Sequence, residues 1–448
     1  MRYIGIRHRI KQTRDGEARP TQLAIHKDGV MTMYDLKTET DELDFLLGRF
    51  VTKRRKAVAG DDLSKFFAHQ ITWKELKKTD DVTTFPQELL RKVDGVMCIA
   101  REVPDSYDGL SKDDVVGMVL GGSGDKLGYA LSRRAEELGG STAVMRIASF
   151  LFKAERGAST TDKEKDKDAE LFATLAETKR HLFQLITPRE RELIREREAL
   201  QARIEAMKAR IGCDQRLLGS FLGKTFCNPE GKYPEGSIQE AYDAMKANDK
   251  IFNALSEEET ARERELKKIV ESLDIYQELF TPIEGCGPLI AARLIGAIVD
   301  VRRFATQARL KHFCGVHVCA DGRFARRRAG VVANWHPDAR QALYLLADQW
   351  NRRPESVWGK VWRAYKKVLR DRHPDVLETE GGKKRYTDMH IHKMAMWRTI
   401  TKFVEWLWAA WWKIEVRHGA IRPTEGRMPF VPVVHPTSSA MEFQQFAE

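Results

Sequence analysis

The chain has 448 residues, 42% of them hydrophobic and 31% charged, with a net charge of +11 and a pI near 9.2. This is the composition of a globular protein with room for two or three domains, and its positive balance favours an anionic polymer as partner, nucleic acid ahead of a membrane surface. The opening MRYIGIRHRI lacks a signal-peptide core, and no run of about 18 apolar residues exists to span a bilayer.

Six scattered cysteines (Cys98, Cys213, Cys227, Cys286, Cys314, Cys319) lack the density of a disulfide scaffold, so a cytoplasmic location is expected. RYIGIRHRI (2–10), PTQLAIHK (20–27) and VMTMYDL predict three strands separated by turn material. TETDELDFLLGRF predicts a helix behind a threonine cap. The stretch 51–115 reads as a strand at VDGVMCIA among charged helical pieces, with no role assigned. DVVGMVLGGSGDKLGYALSRRAEELGG then gives strand, glycine turn and helix, followed by a strand over STAVMRIASFLF. The order predicts an α/β domain with a mixed sheet over 1–160.

From about 161 a charged linker leads into helix through HLFQLI. Thr187-Pro188-Arg189-Glu190 has cap, first-turn proline and glutamate in place for another helix. Leu193, Leu200 and Met207 form one seven-residue series, and Ile204, Ile211 and Leu218 a second. CNPEGKYPEGS turns the chain, and helix resumes from about 238 to 280. An antiparallel coiled-coil hairpin over 161–280 is expected, serving as spacer or dimerisation arm. Nine of the ten tryptophans follow position 330, most of them expected in the core of a helical domain over 281–420. A Pro-rich polar tail, 421–448, completes the chain.

The stretch IEGCGPLIAARLIGAIVDVRRF (283–304) places Gly285 and Gly287 before an apolar helix that opens at Pro288. Such a turn either presents free backbone N–H groups to a phosphate or simply joins two packed helices. Downstream, Lys311 precedes a loop in which Arg323, Arg326, Arg327 and Arg328 cluster, with Arg340 beyond it. An arginine run can be a solvated face, but four forks in a loop with almost no acids suit phosphates. His312, Cys314, His317 and Cys319 alternate without the spacing of a zinc knuckle. His390-Ile391-His392 after Tyr386 matches a nickase signature in letters, but reads as helix. Lys383, Lys384 and Arg385 form a short basic loop, solvated or on phosphate. LGGSGDK lacks the ending of a P-loop.

The succession I-x-G-x-G-P-x-x-A-x-x-L, I-x-D-x-x-R-F, L-x-x-F-x-G-V, D-G-R and A-R-Q-A-L over 281–345 resembles the C-terminal domain of a large insertion-sequence transposase family, the RNA-guided bridge recombinases. KDKDAELFATLAE (165–177) is a weaker echo. The resemblance extends to the Tas proteins of tandem interspaced guide RNA systems, whose C-terminal part is Nop-like. It implies a multi-domain fold: an α/β RNase H-like (RuvC-like) N-terminal domain, a coiled-coil hairpin and an all-α Nop-like C-terminal domain.

The departures from that pattern set the functional expectation. The family's nucleophilic serine is replaced in Asp321-Gly322, and a carboxylate has no hydroxyl to attack a phosphodiester. The first strand reads Ile4-Gly5-Ile6-Arg7-His8-Arg9, with arginine where a metal-binding aspartate is expected. The later strand offers Gly121, Gly122 and Ser123 in place of a glutamate. The expectation is a guide-RNA-binding protein that directs RNA to DNA without its own nuclease, with no resident cofactor. Its partners would be a small structured RNA, target DNA and a second copy of the chain. The alternative is a Mg²⁺-dependent nuclease or transposase, with Asp15, Glu17, Asp166 and Asp168 as ligands and Asp321 as a further fallback. The nucleic-acid contacts expected are Gly285, Gly287, Lys311, Arg323, Arg326, Arg327, Arg328 and Arg340.

Overall fold

The computed structural model describes residues 1–10, 18–77, 82–157, 167–319, 322, 324–326, 333–378, 382 and 384–420. The chain divides into two compact units, Met1–Thr187 and Pro188–Glu448. Asp15, Glu17, Asp166, Asp321, Arg323, Arg327, Arg328, Lys383 and the tail 421–448 lie outside the described residues.

In the first unit, β1 (Arg2–Arg7), β2 (Thr21–Lys27) and β3 (Val30–Leu36) form an antiparallel meander. Strands β8 (Asp114–Leu120) and β9 (Ala143–Ala148) join parallel to β1, and β10 (Phe183–Leu185) closes the edge antiparallel, giving the order β10-β9-β8-β1-β2-β3. Alternation places Ile4, Ile6, Leu23, Ile25, Val116 and Met118 in one core with α1 (Glu39–Leu46) and α2 (Asp125–Leu138). Val115, Met145 and Ile147 form the opposite core with α3 (Ser149–Arg156) and α4 (Asp168–Thr178). Thr38 and Asp41 make the capping box that opens α1.

Helix α4 lies very close to the sheet, and glycine is the reason. Gly5 and Gly117 are register partners on β1 and β8. A Cβ on Gly5 would sit 1.8 Å from the Ala169 carbonyl oxygen, and one on Gly117 3.0 Å from that of Phe172. The fully buried Ala169, Ala173 and Ala176 supply the flat helix face that this approach needs.

Two stretches differ from the sequence reading here. STAVMRIASFLF is strand only to Ala148; Ser149–Arg156 turns to helix, where Phe152 stacks on Phe172 at 4.1 Å. HLFQLI is no helix extension: α4 ends at Thr178, and Phe183–Leu185 pairs with β9, burying Phe183.

Four strands between Phe50 and Asp108 form a second, antiparallel sheet where charged helical pieces were expected. β4 (Phe50–Lys56), β5 (Thr72–Glu75) and β6 (Leu90–Val93) all pair with the long β7 (Val96–Asp108). Leu63, Ile71, Leu89, Ala100 and Val103 give it a small core. The KRRK run (53–56) is the exposed part of edge strand β4, where long cationic side chains discourage further strand pairing.

The second unit is helical. α5 (Pro188–Leu222), about 50 Å long at 1.5 Å per residue, is followed by α6 (Ile238–Ala247) and α7 (Lys250–Ser272). Ion pairs fix the direction: Arg189 meets Asp274, Arg203 meets Glu263 and Glu259, Arg210 meets Glu259, and Asp214 meets Lys246. Partner numbers fall as α5 advances, so the helices run antiparallel. Leu193 and Leu200 of the first heptad series are buried, whereas Ile211 and Leu218 of the second are exposed.

The base of this hairpin shares one core with α8 (Pro288–Ile298), α9 (Gln307–Phe313), α10 (Pro337–Arg352), α11 (Val357–Arg372) and α12 (Asp388–Arg417). A short hairpin, β11 (Leu377–Glu378) with β12 (Lys384–Arg385), connects α11 to α12. Trp350, Trp358, Trp362, Trp408, Trp411 and Trp412 are buried, as their helical spacing suggested. A buried polar knot ties the base together. Glu415 accepts two hydrogen bonds from Arg189, at 2.9 and 3.0 Å, and one from Trp411. Arg302 is held by Asp300 and Glu190, which accounts for the acid and the first of the two arginines closing the 283–304 stretch, while Arg303 donates to the Ile298 carbonyl.

Among the described residues no helix is long and apolar enough to cross a membrane.

Candidate nucleic-acid interface

The glycine turn sits at the start of α8. Gly285 has φ +85°, and a Cβ there would meet Gln349 Cβ at 2.7 Å, so both its backbone conformation and the approach of α10 demand glycine. Gly287 differs. It is exposed, its φ of −72° suits any residue, and a Cβ would meet nothing within 4 Å. It caps a helix that has no side-chain cap, with Pro288 in the first turn. Arg353, which sequence reasoning missed, lies beside the turn, its Nη1 3.3 Å from the Cβ position of Gly285. The signal was present in Arg352-Arg353-Pro354 at a helix end.

Arg340 rises from α10 beneath the arginine loop. Its Nη1 donates to Gly315 O at 2.9 Å and its Nη2 to Ala325 O at 2.7 Å. Its guanidinium lies 4.9 Å from the Trp335 ring centroid and 4.7 Å from that of Trp397. Half-buried, Arg340 holds the loop in place. Lys311 is paired with Glu405 at 2.7 Å, and Lys402 shares that carboxylate. Arg326, the only one of the loop's four clustered arginines within the described residues, is exposed.

The histidine–cysteine alternation packs locally. His312 and His317 stack at 4.3 Å, and Cys319 Sγ lies 3.9 Å from His317 Nε2. Cys314 is fully buried, and burial pushes its thiol up to about 12. His390-Ile391-His392 stands in the first turn of α12, with Ile391 in the core and His392 against Trp362.

In the first unit, the C-terminal ends of β1 and β8 bring together a second group. Arg7 is buried, its Nη1 donating to Gln22 Oε1 at 2.6 Å. His8 Nδ1 lies 2.9 Å from Ser123 Oγ and its Nε2 3.5 Å from Glu42 Oε1; burial lowers its pKa. Asp125 is buried in an ion pair with Arg146 at 3.0 Å. Asp168, at the start of α4, is paired with Arg156 at 3.2 Å. Among the described residues no three His, Cys, Asp or Glu side chains form a group that could hold a metal ion.

Residues 277–363 match the family model described as Transposase IS116/IS110/IS902 family. That segment is well under half of the chain, and it contains every position assigned to nucleic acid above. It runs from the turn before α8 into α11. No curated protein matches the chain.

Proposed function

We propose that the protein binds nucleic acid through its second unit, holding a structured guide RNA and directing it to DNA by base pairing. The observation that carries this reading is Gly287. Nothing in the fold requires glycine there, and the residue stands exposed at a helix start without a side-chain cap, two positions after the Gly285 that Arg353 approaches, where a sugar–phosphate strand could come close to the backbone. The exposed Arg326 on a loop held from below by Arg340 supports it. Arg323, Arg327 and Arg328 are assigned to phosphate by sequence. Guide RNA and DNA would be read by backbone shape, with base pairing supplying sequence.

The RNase H-like reading of the first unit is supported by its antiparallel meander continued by parallel strands with helices on both faces. At the strand ends where that fold would hold metal, the described residues place Arg7 on Gln22 and His8 between Ser123 and Glu42, an arrangement that supports a binding role. The second reading, a transposase or Mg²⁺-dependent nuclease, is favoured by the family match itself. A homodimer through the distal hairpin is the proposed assembly. Ile211, Leu218 and Leu222 lie exposed along α5 where an apolar stripe would otherwise need cover.

The test is to purify the protein from its host at moderate salt and sequence what accompanies it. A discrete structured small RNA supports the guide reading; random fragments or none, together with Mg²⁺-dependent cleavage of DNA, favours the transposase reading. Arg326→Ala and Arg353→Ala should weaken RNA binding uniformly across sequences and flatten its salt dependence. Light scattering of Ile211→Glu/Leu218→Glu should show monomers if the hairpin forms the dimer.

A further inference from the structure

Between α11 and α12 the chain makes a corner outside the family-matched segment, and its centre is Tyr386. The residue has φ +58°, a left-handed conformation in which a bulky L side chain is a true outlier. Two contacts hold it there. Its N–H donates to His390 Nδ1 at 3.0 Å, and its carbonyl accepts from Arg370 Nη1 at 3.0 Å. Arg370 also binds Asp388 at 2.7 Å, and Glu378 faces Lys384 across the β11–β12 ladder.

The result of the strain is a parallel array of rings. His373 lies over Tyr386 at 3.8 Å with 4° between planes, and His390 is parallel to Tyr386 within 7° at 5.6 Å. All three are half-exposed. Because His390 Nδ1 accepts a hydrogen bond, its Nε2 carries the proton of the neutral ring and remains a donor. Lys384, Arg385 and Arg326 are exposed, and burial, followed by the nearby Arg385 and Arg326 guanidinium groups, lowers the His390 pKa. Arg326 thereby connects this corner with the arginine loop of the matched segment.

We propose that this corner is a binding site for one unpaired nucleotide of a single-stranded nucleic acid, its base stacked on the His373–Tyr386–His390 ring array and its phosphate on Arg326, Arg385 and the His390 Nε2–H. Stacking on a ring array with cationic flanks is what single strands offer and duplexes, whose bases are covered, do not. The inference rests on the nucleic-acid reading above and adds the strandedness of what is bound.

The experiment uses the full chain and a fluorescein-labelled oligouridylate containing 4-thiouridine, with a blunt RNA duplex of equal length for comparison. Ultraviolet crosslinks are mapped by mass spectrometry, and affinity is measured against salt. Crosslinks at Tyr386 or His390 are expected. Arg385→Ala, a change at an exposed side chain that leaves the fold intact, should flatten the salt slope by roughly 0.7, the value for one phosphate of a single strand left without its cation. Tyr386→Gly, which relieves the left-handed strain while removing the ring, should weaken single-strand binding roughly fivefold or more and leave duplex binding unchanged. If neither single strand nor duplex binds the wild type, the nucleic-acid reading itself falls. If nucleic acid binds but crosslinks map elsewhere and both variants match the wild type, this site is overturned while that reading stands.

Discussion

Arg340 holds Ala325: its Nη2 donates to that residue's carbonyl at 2.7 Å, while Nη1 holds Gly315 O at 2.9 Å. One guanidinium thus pins both ends of the segment that leads to the exposed Arg326. A lysine keeps the charge but loses the planar fork and its place between Trp335 and Trp397. Arg340→Lys should cost about 1.5–3 kcal/mol in urea unfolding, the range for hydrogen bonds to a charged group. RNA affinity should fall while its salt slope stays unchanged, because every phosphate keeps its cation. Arg326→Ala should do the reverse, flattening the slope without changing stability.

Gly5 faces Gly117 across the β1–β8 ladder so that α4 can lie on both. The obstacle to a methyl at Gly5 is backbone, the Ala169 carbonyl at 1.8 Å, which cannot rotate away. Gly5→Ala should therefore reach or pass the upper end of overpacking costs, ~3 kcal/mol. Thermal unfolding of the isolated variant checks it; an unchanged melting temperature would mean that α4 does not seat as described.

Much of the fold is readable because periodicity reports burial directly. The alternation in β1 and β2 and the tryptophan spacing in α12 encode which side faces a core, and the Thr38 cap marks where α1 begins. What was not readable depends on partners far away in sequence. Phe183–Leu185 becomes a strand only because β9 offers an unpaired edge. The charged run 53–56 reads as helix until the long β7 gives it a ladder. Tyr386 illustrates the limit at the candidate site: its left-handed backbone is imposed by Arg370 and His390, and nothing in the local letters announces it. The Gly285 turn was legible, but sequence could not separate Gly285, required by packing, from Gly287, which is not.

Glu415 lies buried at the end of α12 and receives Arg189 from α5 through two parallel hydrogen bonds, with Arg302 3.8 Å away. Glu415→Gln leaves these guanidinium groups short of a negative partner inside the core. Removing one member of a buried pair costs about 3–5 kcal/mol, and that loss should appear in chemical unfolding of the variant. Because the knot joins α5 to α12, hydrogen exchange should rise at both helices together rather than at α12 alone.

Thiol accessibility gives an independent check on both units. Cys98, Cys213, Cys286 and Cys314 are buried, and burial pushes the thiols of Cys286 and Cys314 up to about 12. Cys227 and Cys319 are exposed. Under native conditions a maleimide should add two labels, at Cys227 and Cys319, and the other four should react only in denaturant.

Glu196 on α5 is completely buried, its carboxylate has no hydrogen-bond partner, and its oxygens lie 3.2 and 3.6 Å from the Cβ position of Gly296 on α8. Burial raises its pKa well above the ordinary 4.5, so the folded chain holds this proton more tightly than the unfolded chain. Below pH 4.5 the group is protonated in both states and imposes no penalty. As pH rises above that, the unfolded chain ionises first, and the folded state loses about 1.4 kcal/mol per pH unit until the folded carboxyl itself titrates. Glu196→Gln removes this dependence while keeping the shape of the acid. The two proteins should unfold alike near pH 4, and the variant should become progressively more stable than the wild type toward neutrality. A gap that does not change with pH would show that Glu196 is ionised and compensated in the folded protein.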